Sequence, residues 1–365
     1  MTGGEPEDRR LVDNLLWLLA RKSPIGFEKA LCDDLEARLA SVPGFKTVRV
    51  ANNLAVRRTE PDGSRPKIVF AGHIDTVPEP KVELPVRVEA GKVYGRGSTD
   101  MKAGDAVMLS LLEDFNWSGS WAEPLFVFYE REEGPHLENG LETVFPEVPW
   151  VLEADLAIVP EPTEGTVEAG CVGTAQVEVT FNGRAAHSAR PWLGLNAVTL
   201  AGDFLAKLHA LEPEEVDVDG LVFREVLTVT LARGGVAANV VPDTFWINVN
   251  MRFAPGRDRK HVEATFRGLL ADLPDGTAEF AVVDFAPSGD VDLSHPLLER
   301  LIQTGLEVRP KQAWTDVARF AASGVPAVNL GPGTPAQAHQ DAEYAEVALL
   351  VECYGKLAGY LAKRP

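Results

Sequence analysis

The stretch KIVFAGHIDTVP, residues 67–78, is the part of the sequence that decides the fold class. It contains an apolar run of strand length that ends at His73 and Asp75. The segments around it alternate between helix-like and strand-like patterns, at residues 29–42, 52–59, 67–75, 101–115, 124–130 and 154–161. Such alternation predicts an α/β domain with a mostly parallel sheet flanked by helices.

The pattern changes at residue 173. From there to residue 289, the order strand, helix, strand, strand, helix, strand predicts a compact α+β unit of the ferredoxin-like kind. The α/β pattern then returns, with a helix near residues 297–307 and a strand at 325–331. We therefore predict one domain from residues 1–172 and 290–365, with a second domain, residues 173–289, inserted into it.

The composition limits the partners of the chain. Its 365 residues carry a formal net charge of −19, while the hydrophobic content of 45% and the charged content of 24% are ordinary for a soluble protein. Nucleic acids and anionic membranes need a basic surface, so we exclude both as partners. Bound cations would neutralise part of this negative charge.

The cysteines and the N-terminal segment indicate the cellular location. The scattered cysteines offer neither a disulfide framework nor a thiolate metal site, which suits a reducing compartment. The leucines between residues 11 and 19 have the spacing of an amphipathic helix, and no stretch is long enough to cross a bilayer. These features predict a soluble cytoplasmic protein.

Ionisable side chains follow the predicted strands of the first domain or, in one case, lie in a glycine-rich loop before a helix. They are His73, Asp75, Asp100, Glu132, Glu133, Glu161 and His339. Because ligands of open α/β sheets bind at the carboxyl ends of the strands, we expect these side chains to converge. Taken singly, each has an ordinary alternative: a hydrogen-bonded pair, a solvated glutamate or a helix cap. Because nearly all of these side chains follow a predicted strand, we favour the interpretation that they belong to one site.

Imidazole and carboxylate groups at one site are typical ligands of divalent metal ions. Two histidines and three carboxylates suffice for a pair of ions that share one aspartate; zinc is the expected metal, and cobalt suits the same ligands. Such cations would remove the repulsion between Glu132 and Glu133. Adjacent residues point in different directions, so we assign Glu133 as a ligand and Glu132 as the free carboxylate beside a water. Asp75 is placed to accept the other ring N–H of His73.

Five stretches resemble, in order, the metal-site motifs of the di-zinc aminoacylase/carboxypeptidase family. They are GHIDTVP (72–78), GRGSTDMKAG (95–104), EREEG (130–134), PEPTEG (160–165) and AHQDAEY (338–344). Residues 169–197 and 314–333 are similar to the succinyl-diaminopimelate desuccinylase branch of that family. The resemblance implies a general base at Glu132, an orienting carboxylate at Asp75 and a bridging ligand at Asp100. The full ligand set that it implies is His73, Asp100, Glu133, Glu161 and His339.

The same resemblance implies roles for the inserted domain. That domain is similar to the family's dimerisation lid, which implies a homodimer. His187 matches the lid histidine that stabilises the oxyanion in the site of the partner subunit. The positions that match substrate contacts are Asn239, Arg252, Thr315 and Arg319. The chain departs from the family at Arg131, where an aspartate is usual.

The implied activity is hydrolysis of an N-acyl amino acid, namely N-succinyl-LL-2,6-diaminopimelate, to succinate and LL-2,6-diaminopimelate. A deacylase of the acetylornithine or acetyl-lysine type, or a dipeptidase, remains open, because the metal motifs do not separate these substrates. A protein that binds a metal or an amino acid without catalysis is a further alternative, but Glu132 and every matched ligand are present. An acidic interaction scaffold would explain the charge and not the placement of the carboxylates.

Overall fold

The computed structural model describes residues 6–82 and 84–362, with side chains from residue 8 onward. The α-helices of these residues are α1 (Pro6–Leu19), α2 (Lys29–Leu39), α3 (Ala103–Asp114), α4 (Leu141–Glu147), α5 (Ala197–Leu200), α6 (Gly202–Ala210), α7 (Arg259–Leu270), α8 (Pro296–Ile302), α9 (Val317–Ala322) and α10 (Val347–Ala362). The strands are β1 (Phe45–Val50), β2 (Asn53–Arg58), β3 (Lys67–His73), β4 (Arg87–Glu89), β5 (Lys92–Tyr94), β6 (Glu123–Tyr129), β7 (Leu156–Val159), β8 (Val167–Ala169), β9 (Gly173–Asn182), β10 (Ala186–His187), β11 (Glu214–Val218), β12 (Leu221–Gly234), β13 (Val240–Val241), β14 (Thr244–Phe253), β15 (Ala278–Ala286), β16 (Val308–Pro310), β17 (Ala327–Asn329) and β18 (Tyr344–Glu346).

The chain groups into two units. The first comprises the residues up to Ala169, Asp292–Arg309 and the residues from Thr315 onward, and the second comprises Gly170–Val291 and Pro310–Trp314. The segment Pro310–Trp314 lies outside the range predicted for the inserted domain. It joins the second unit because Lys311 accepts a backbone hydrogen bond from Val172 and the Trp314 indole donates to the carbonyl of Pro287.

The first unit contains an eight-stranded sheet with the order β1-β2-β6-β3-β7-β17-β8-β16. Its central strands β6, β3, β7 and β17 pair in parallel, and the pairs β1–β2, β2–β6 and β17–β8 are antiparallel. Strands β3, β6 and β7 are buried along nearly their whole length, as expected for parallel strands that are covered on both faces. The predicted class, α/β with a mostly parallel sheet flanked by helices, is confirmed.

The second unit contains a five-stranded antiparallel sheet with the order β11-β12-β14-β9-β15. Strand β9 alternates between buried and half-buried residues, as the period-two pattern of its sequence predicts. Its buried side chains pack with residues of α6 and α7, among them Phe204 and Phe266. The first helix of the predicted order is divided at Ala201 into α5 and α6, and β11 adds a hairpin strand to that order.

Two predicted helices of the first unit differ in their bounds. The helix expected from residue 101 begins at Ala103, because Asp100 and Met101 have non-helical backbone angles. The helix expected at residues 297–307 ends at Ile302, and Gly305 follows with a φ of +94°. In the part of the chain that the structure describes, none of the helices combines the length and apolar character that a bilayer crossing requires.

Helix α3 carries a buried carboxyl group and lies beside a buried amine. Both carboxyl oxygens of Asp105 lack a hydrogen-bond partner among the described residues, and the Lys102 amine donates to the carbonyl of Arg21 at 2.9 Å. Asp105 packs against the backbone of β3, where a Cβ at Gly72 would lie 2.4 Å from its Oδ1 atom. Burial raises the pKa of Asp105 to about 8, and burial lowers the pKa of Lys102 to about 8.

The replacement Asp105→Asn is expected to stabilise the metal-free protein more at pH 8 than at pH 5. The folded chain holds the Asp105 proton to about pH 8, whereas an unfolded chain releases it near the ordinary value of 3.8. The contribution of Asp105 to the free energy of unfolding is therefore fully present at pH values below 3.8, and it is lost as the pH rises from 3.8 toward 8. We expect a gain at pH 8 of roughly 1–3 kcal/mol in the free energy of unfolding, measured with urea. The control is Asp13→Asn on the exposed side of α1, and a pH-independent difference would contradict the assignment.

Candidate metal site

The sheet of the first unit brings the predicted site residues to one edge. Strands β6, β3 and β7 are neighbours that run in parallel, so their carboxyl ends lie side by side. His73 is the last residue of β3, Glu132 and Glu133 follow β6, and Glu161 follows β7. Asp100 lies in the kinked turn Ser98–Lys102 that precedes α3.

The five predicted ligands form two overlapping clusters. One potential ligand atom from each of His73, Asp100 and Glu161 lies within 4.8 Å of the others, and the same holds for Asp100, Glu133 and His339. Asp100 belongs to both clusters because its two oxygens face different histidines. Its Oδ1 atom is 3.3 Å from His73 Nε2, and its Oδ2 atom is 3.5 Å from His339 Nε2.

The ring of His73 is oriented for metal binding through Nε2. Its Nδ1 atom lies 3.1 Å from the backbone carbonyl oxygen of Asp75, which can only accept a hydrogen bond. When the ring is neutral, its proton therefore sits on Nδ1, which leaves the lone pair of Nε2 facing Asp100 and Glu161. Buried carboxylates that repel one another, together with an oriented imidazole, fit a pair of divalent cations.

The Asp75 carboxylate accepts hydrogen bonds from the loop after β6, which the sequence did not predict. It lies 3.5 Å from His73 Nδ1, farther than the carbonyl oxygen of the same residue. Its oxygens accept hydrogen bonds from the backbone N–H groups of Glu132, at 3.1 Å, and of Glu133, at 3.0 Å. Asp75 thus fixes the loop that carries these glutamates as well as contacting the ring of His73.

In the absence of metal, the neighbouring carboxylates determine the protonation of the two histidines, His73 and His339. Burial by itself would lower the pKa of His73, but hydrogen bonds with Asp100 and Asp75 outweigh it and raise that pKa well above its ordinary value. Hydrogen bonds with Asp100 and Glu133 raise the pKa of His339 to about 10. In the metal-free chain, these protonated rings supply the positive charge that bound cations would supply.

Glu132 lies among the candidate ligands, since one of its carboxylate oxygens and one potential ligand atom from each of His73 and Glu133 all lie within 4.8 Å of one another. Burial raises its pKa well above the ordinary value, the carboxylates of Glu161 and Asp316 raise it further, and His73 opposes them. A carboxyl group beside a candidate metal pair, with a raised pKa, is suited to exchanging protons near neutral pH. The neighbouring Arg131 directs its guanidinium to Glu138.

The structure adds Glu343 to the residues that organise the site. Its buried carboxylate accepts backbone hydrogen bonds from Gly97, Thr99 and Asp100 at 2.8–3.2 Å, and a further one from the guanidinium of Arg96. It thereby fixes the loop that presents Asp100 and joins it to the segment that carries His339. The sequence contained a signal for this role, because Glu343 belongs to the AHQDAEY motif.

The predicted substrate contacts are divided between the two units. In the first unit, Thr315 and Arg319 are buried, and Arg319 is ion-paired with Asp316 and Glu142. In the second unit, His187 and Asn239 lie together, since Ser188 donates a backbone hydrogen bond to the Asn239 carbonyl.

Arg252 also belongs to the second unit and is half-buried in β14. Its Nε atom donates to Asn250 Oδ1 at 3.0 Å, and burial lowers its pKa. Among the described residues, none of the carboxylates forms an ion pair with Arg252. Its guanidinium therefore retains donors for an anionic ligand.

Histidines and carboxylates gathered at the carboxyl ends of parallel strands define an α/β protein of the metallohydrolase class. Within that class, the chain belongs to Peptidase family M20/M25/M40, whose sequence profile matches residues 69–363. The resemblance predicted from the sequence is confirmed.

Relatives cover nearly the whole chain. A succinyl-diaminopimelate desuccinylase of Corynebacterium glutamicum is 41% identical over 347 residues, which are 93% of this chain and 93% of the relative. Among solved structures, aminopeptidase PepT of Bacillus cereus matches with a TM-score of 0.79 at 19% identity, covering 97% of this chain and 98% of its own. The YXEP protein of Bacillus subtilis, a dinuclear metal binding peptidase, matches with a TM-score of 0.71 at 16% identity, covering 98% of both chains. The structural matches show that the fold is shared.

Proposed function

We propose that the chain is a metal-dependent amide hydrolase that cleaves N-succinyl-LL-2,6-diaminopimelate into succinate and LL-2,6-diaminopimelate. The 41% identity with a desuccinylase over 93% of both chains carries the choice of substrate. The half-buried Glu132 beside the clusters that share Asp100 supports amide hydrolysis. Such an enzyme of amino-acid synthesis would act in the cytoplasm.

The proposed cofactor is a pair of divalent cations, with zinc as the first choice and cobalt as a substitute. His73 and Glu161 would hold one ion, Glu133 and His339 the other, and Asp100 would bridge them. When bound, such a pair polarises a carbonyl oxygen and lowers the pKa of a water.

Glu132 would move the proton during the reaction. It takes a proton from the water as the water oxygen bonds to the amide carbon, and it gives the proton to the amide nitrogen as the C–N bond breaks. The products are a carboxylic acid and a free amine. Asp75 holds the backbone of Glu132 during both transfers.

The second unit would act as the lid and dimerisation domain. His187 Nδ1 accepts a hydrogen bond from the N–H of Ala189, so the neutral ring carries its proton on Nε2 and can donate it to an oxyanion. Arg252 would bind a substrate carboxylate, with Asn239 nearby as a further contact. Thr315 of the first unit is proposed as another contact, as the family resemblance implies.

A homodimer through the lid is supported by an open sheet edge. Strand β11 pairs only with Leu221–Glu225 of β12, and the following residues, Thr228 to Gly234, are largely exposed. This stretch includes Val229 and Leu231, which are 36% and 51% exposed. An unpaired edge with apolar side chains is suited to pairing with the same edge of a second copy.

The test is a comparison of kcat/KM for several amides on zinc-loaded protein. We expect N-succinyl-LL-2,6-diaminopimelate to exceed N-acetylornithine, N-acetyl-lysine and simple dipeptides by roughly 100-fold or more, because these competitors lack the carboxylate of the succinyl chain, which is the one that Arg252 would bind. A higher value for an acetyl substrate or a dipeptide would replace the proposed function with the corresponding deacylase or dipeptidase. Absence of turnover with all of them would favour a non-catalytic binding protein.

A further inference from the structure

A buried ion pair at the start of α9 contacts both ends of the loop that carries Glu132 and Glu133. We propose that Asp316 and Arg319 are positioning residues that clamp this loop, residues 130–139, and so set the place of Glu132 beside the metal ligands. The inference rests on the proposed function. It assigns Arg319 a role different from the substrate contact that the family resemblance implies.

Asp316 holds the two ends of the loop through side-chain hydrogen bonds. Its Oδ2 atom accepts from the hydroxyl of Tyr129, the last residue of β6, at 2.7 Å. The same carboxylate accepts from the amide of Asn139 at 3.0 and 3.1 Å, where the loop ends before α4. Asp316 is fully buried, so these bonds are shielded from competing water.

Arg319 completes the clamp from the same helix. Its Nε atom donates to Asp316 Oδ1 at 2.6 Å, and its two terminal nitrogens donate to Glu142 and to the backbone carbonyl of His136. Every nitrogen of the guanidinium therefore has a protein acceptor, and the residue is 5% exposed. A substrate carboxylate would have to displace these partners. This contrasts with Arg252, whose guanidinium has no carboxylate partner among the described residues.

The clamp and Asp75 act on different parts of one loop. Asp75 holds the backbone N–H groups of Glu132 and Glu133 in the middle, and Asp316 with Arg319 holds Tyr129, His136 and Asn139 at the ends. Removing one charge of the buried pair leaves the other without its partner, which frees the ends of the loop. Glu132 would then move relative to the substrate, although no group that touches substrate has been removed.

The experiment compares Arg319→Gln, Arg319→Lys, Asp316→Asn and Tyr129→Phe with Arg309→Gln, which removes an exposed arginine paired with Glu307. For Arg319→Gln and Asp316→Asn, we expect kcat to fall by roughly 10- to 100-fold with KM changed by less than about threefold. The loss should be equal for the N-succinyl substrate and its N-acetyl analogue, because no substrate carboxylate is involved. Arg319→Lys keeps the charge near Asp316 and should recover part of kcat.

Tyr129→Phe removes a single hydrogen bond and provides the test if the charge variants fail to fold. It should lower kcat and leave KM unchanged. Hydrogen exchange of the segment 130–139 in the metal-free protein should be faster in the clamp variants and unchanged in Arg309→Gln.

A rise in KM confined to the N-succinyl substrate would overturn the clamp and restore Arg319 as a substrate contact. Unchanged kcat together with unchanged exchange would also overturn it. If the wild-type chain does not hydrolyse the N-succinyl substrate, the proposed function fails, and the exchange measurement still decides whether the clamp exists.

Discussion

Replacing Glu132 with glutamine is expected to lower kcat for the N-succinyl substrate by roughly 10³-fold or more while the bound metal stays near its wild-type content. Glutamine keeps the shape of the side chain but cannot accept the proton of the attacking water or return it to the amide nitrogen. The ligand clusters that share Asp100 would keep their atoms, so elemental analysis should find as much metal as in the wild-type protein.

The matched control is Glu138→Gln, which changes an exposed glutamate within the same loop. This variant should retain wild-type kcat, because Glu138 pairs with Arg131 and belongs to neither ligand cluster. Turnover by Glu132→Gln within about tenfold of the wild-type rate would reject Glu132 as the proton carrier. Loss of metal in the same variant would instead assign it as a ligand.

Replacing Asp100 with asparagine is expected to remove both activity and a large part of the bound metal. Its two oxygens face the histidines of different clusters, so a single change affects both candidate ion sites. The amide nitrogen of asparagine cannot coordinate a cation as a carboxylate oxygen does. We expect kcat to fall by roughly 100-fold or more and metal content, measured after dialysis, to fall below that of the wild-type protein.

Asp341→Asn serves as the comparison, since Asp341 is exposed and lies two residues after His339. It should leave metal content and kcat unchanged. Full metal occupancy in Asp100→Asn would show that Asp100 does not bridge the ions. Equal metal loss in the Asp341 variant would indicate a general effect of removing negative charge.

The sequence predicted the parts of the fold that depend on local pattern. The apolar runs at β3, β6 and β7 are continuous enough to indicate buried strands, and residues that follow parallel strands must share an edge of the sheet. For this reason, the convergence of His73, Glu133 and Glu161 could be predicted from the sequence alone. The distances of 3.3 and 3.5 Å from Asp100 to the two histidines could not, because they depend on the non-helical turn before α3.

The contacts that the sequence did not predict join distant segments. Tyr129 and Asp316 are 187 positions apart, and Gly97 and Glu343 are 246 apart. A polar residue after a strand or at a helix start has many local explanations, so its long-range partner is not visible in one sequence. Arg319 is an example: the family resemblance implies a substrate contact, whereas the protein acceptors at each guanidinium nitrogen support the clamp that we propose.

The two hydrogen bonds that Asp75 accepts from the N–H groups of Glu132 and Glu133 restrict which side chains this position can tolerate. A carboxylate offers an acceptor in both directions, whereas an asparagine would turn its NH₂ group toward one of these N–H groups, donor against donor. Side chains of nearly identical shape are therefore not interchangeable here. The ring of His73 and the backbone of Glu132 both contact this one carboxylate, so a replacement of Asp75 would disturb the two together.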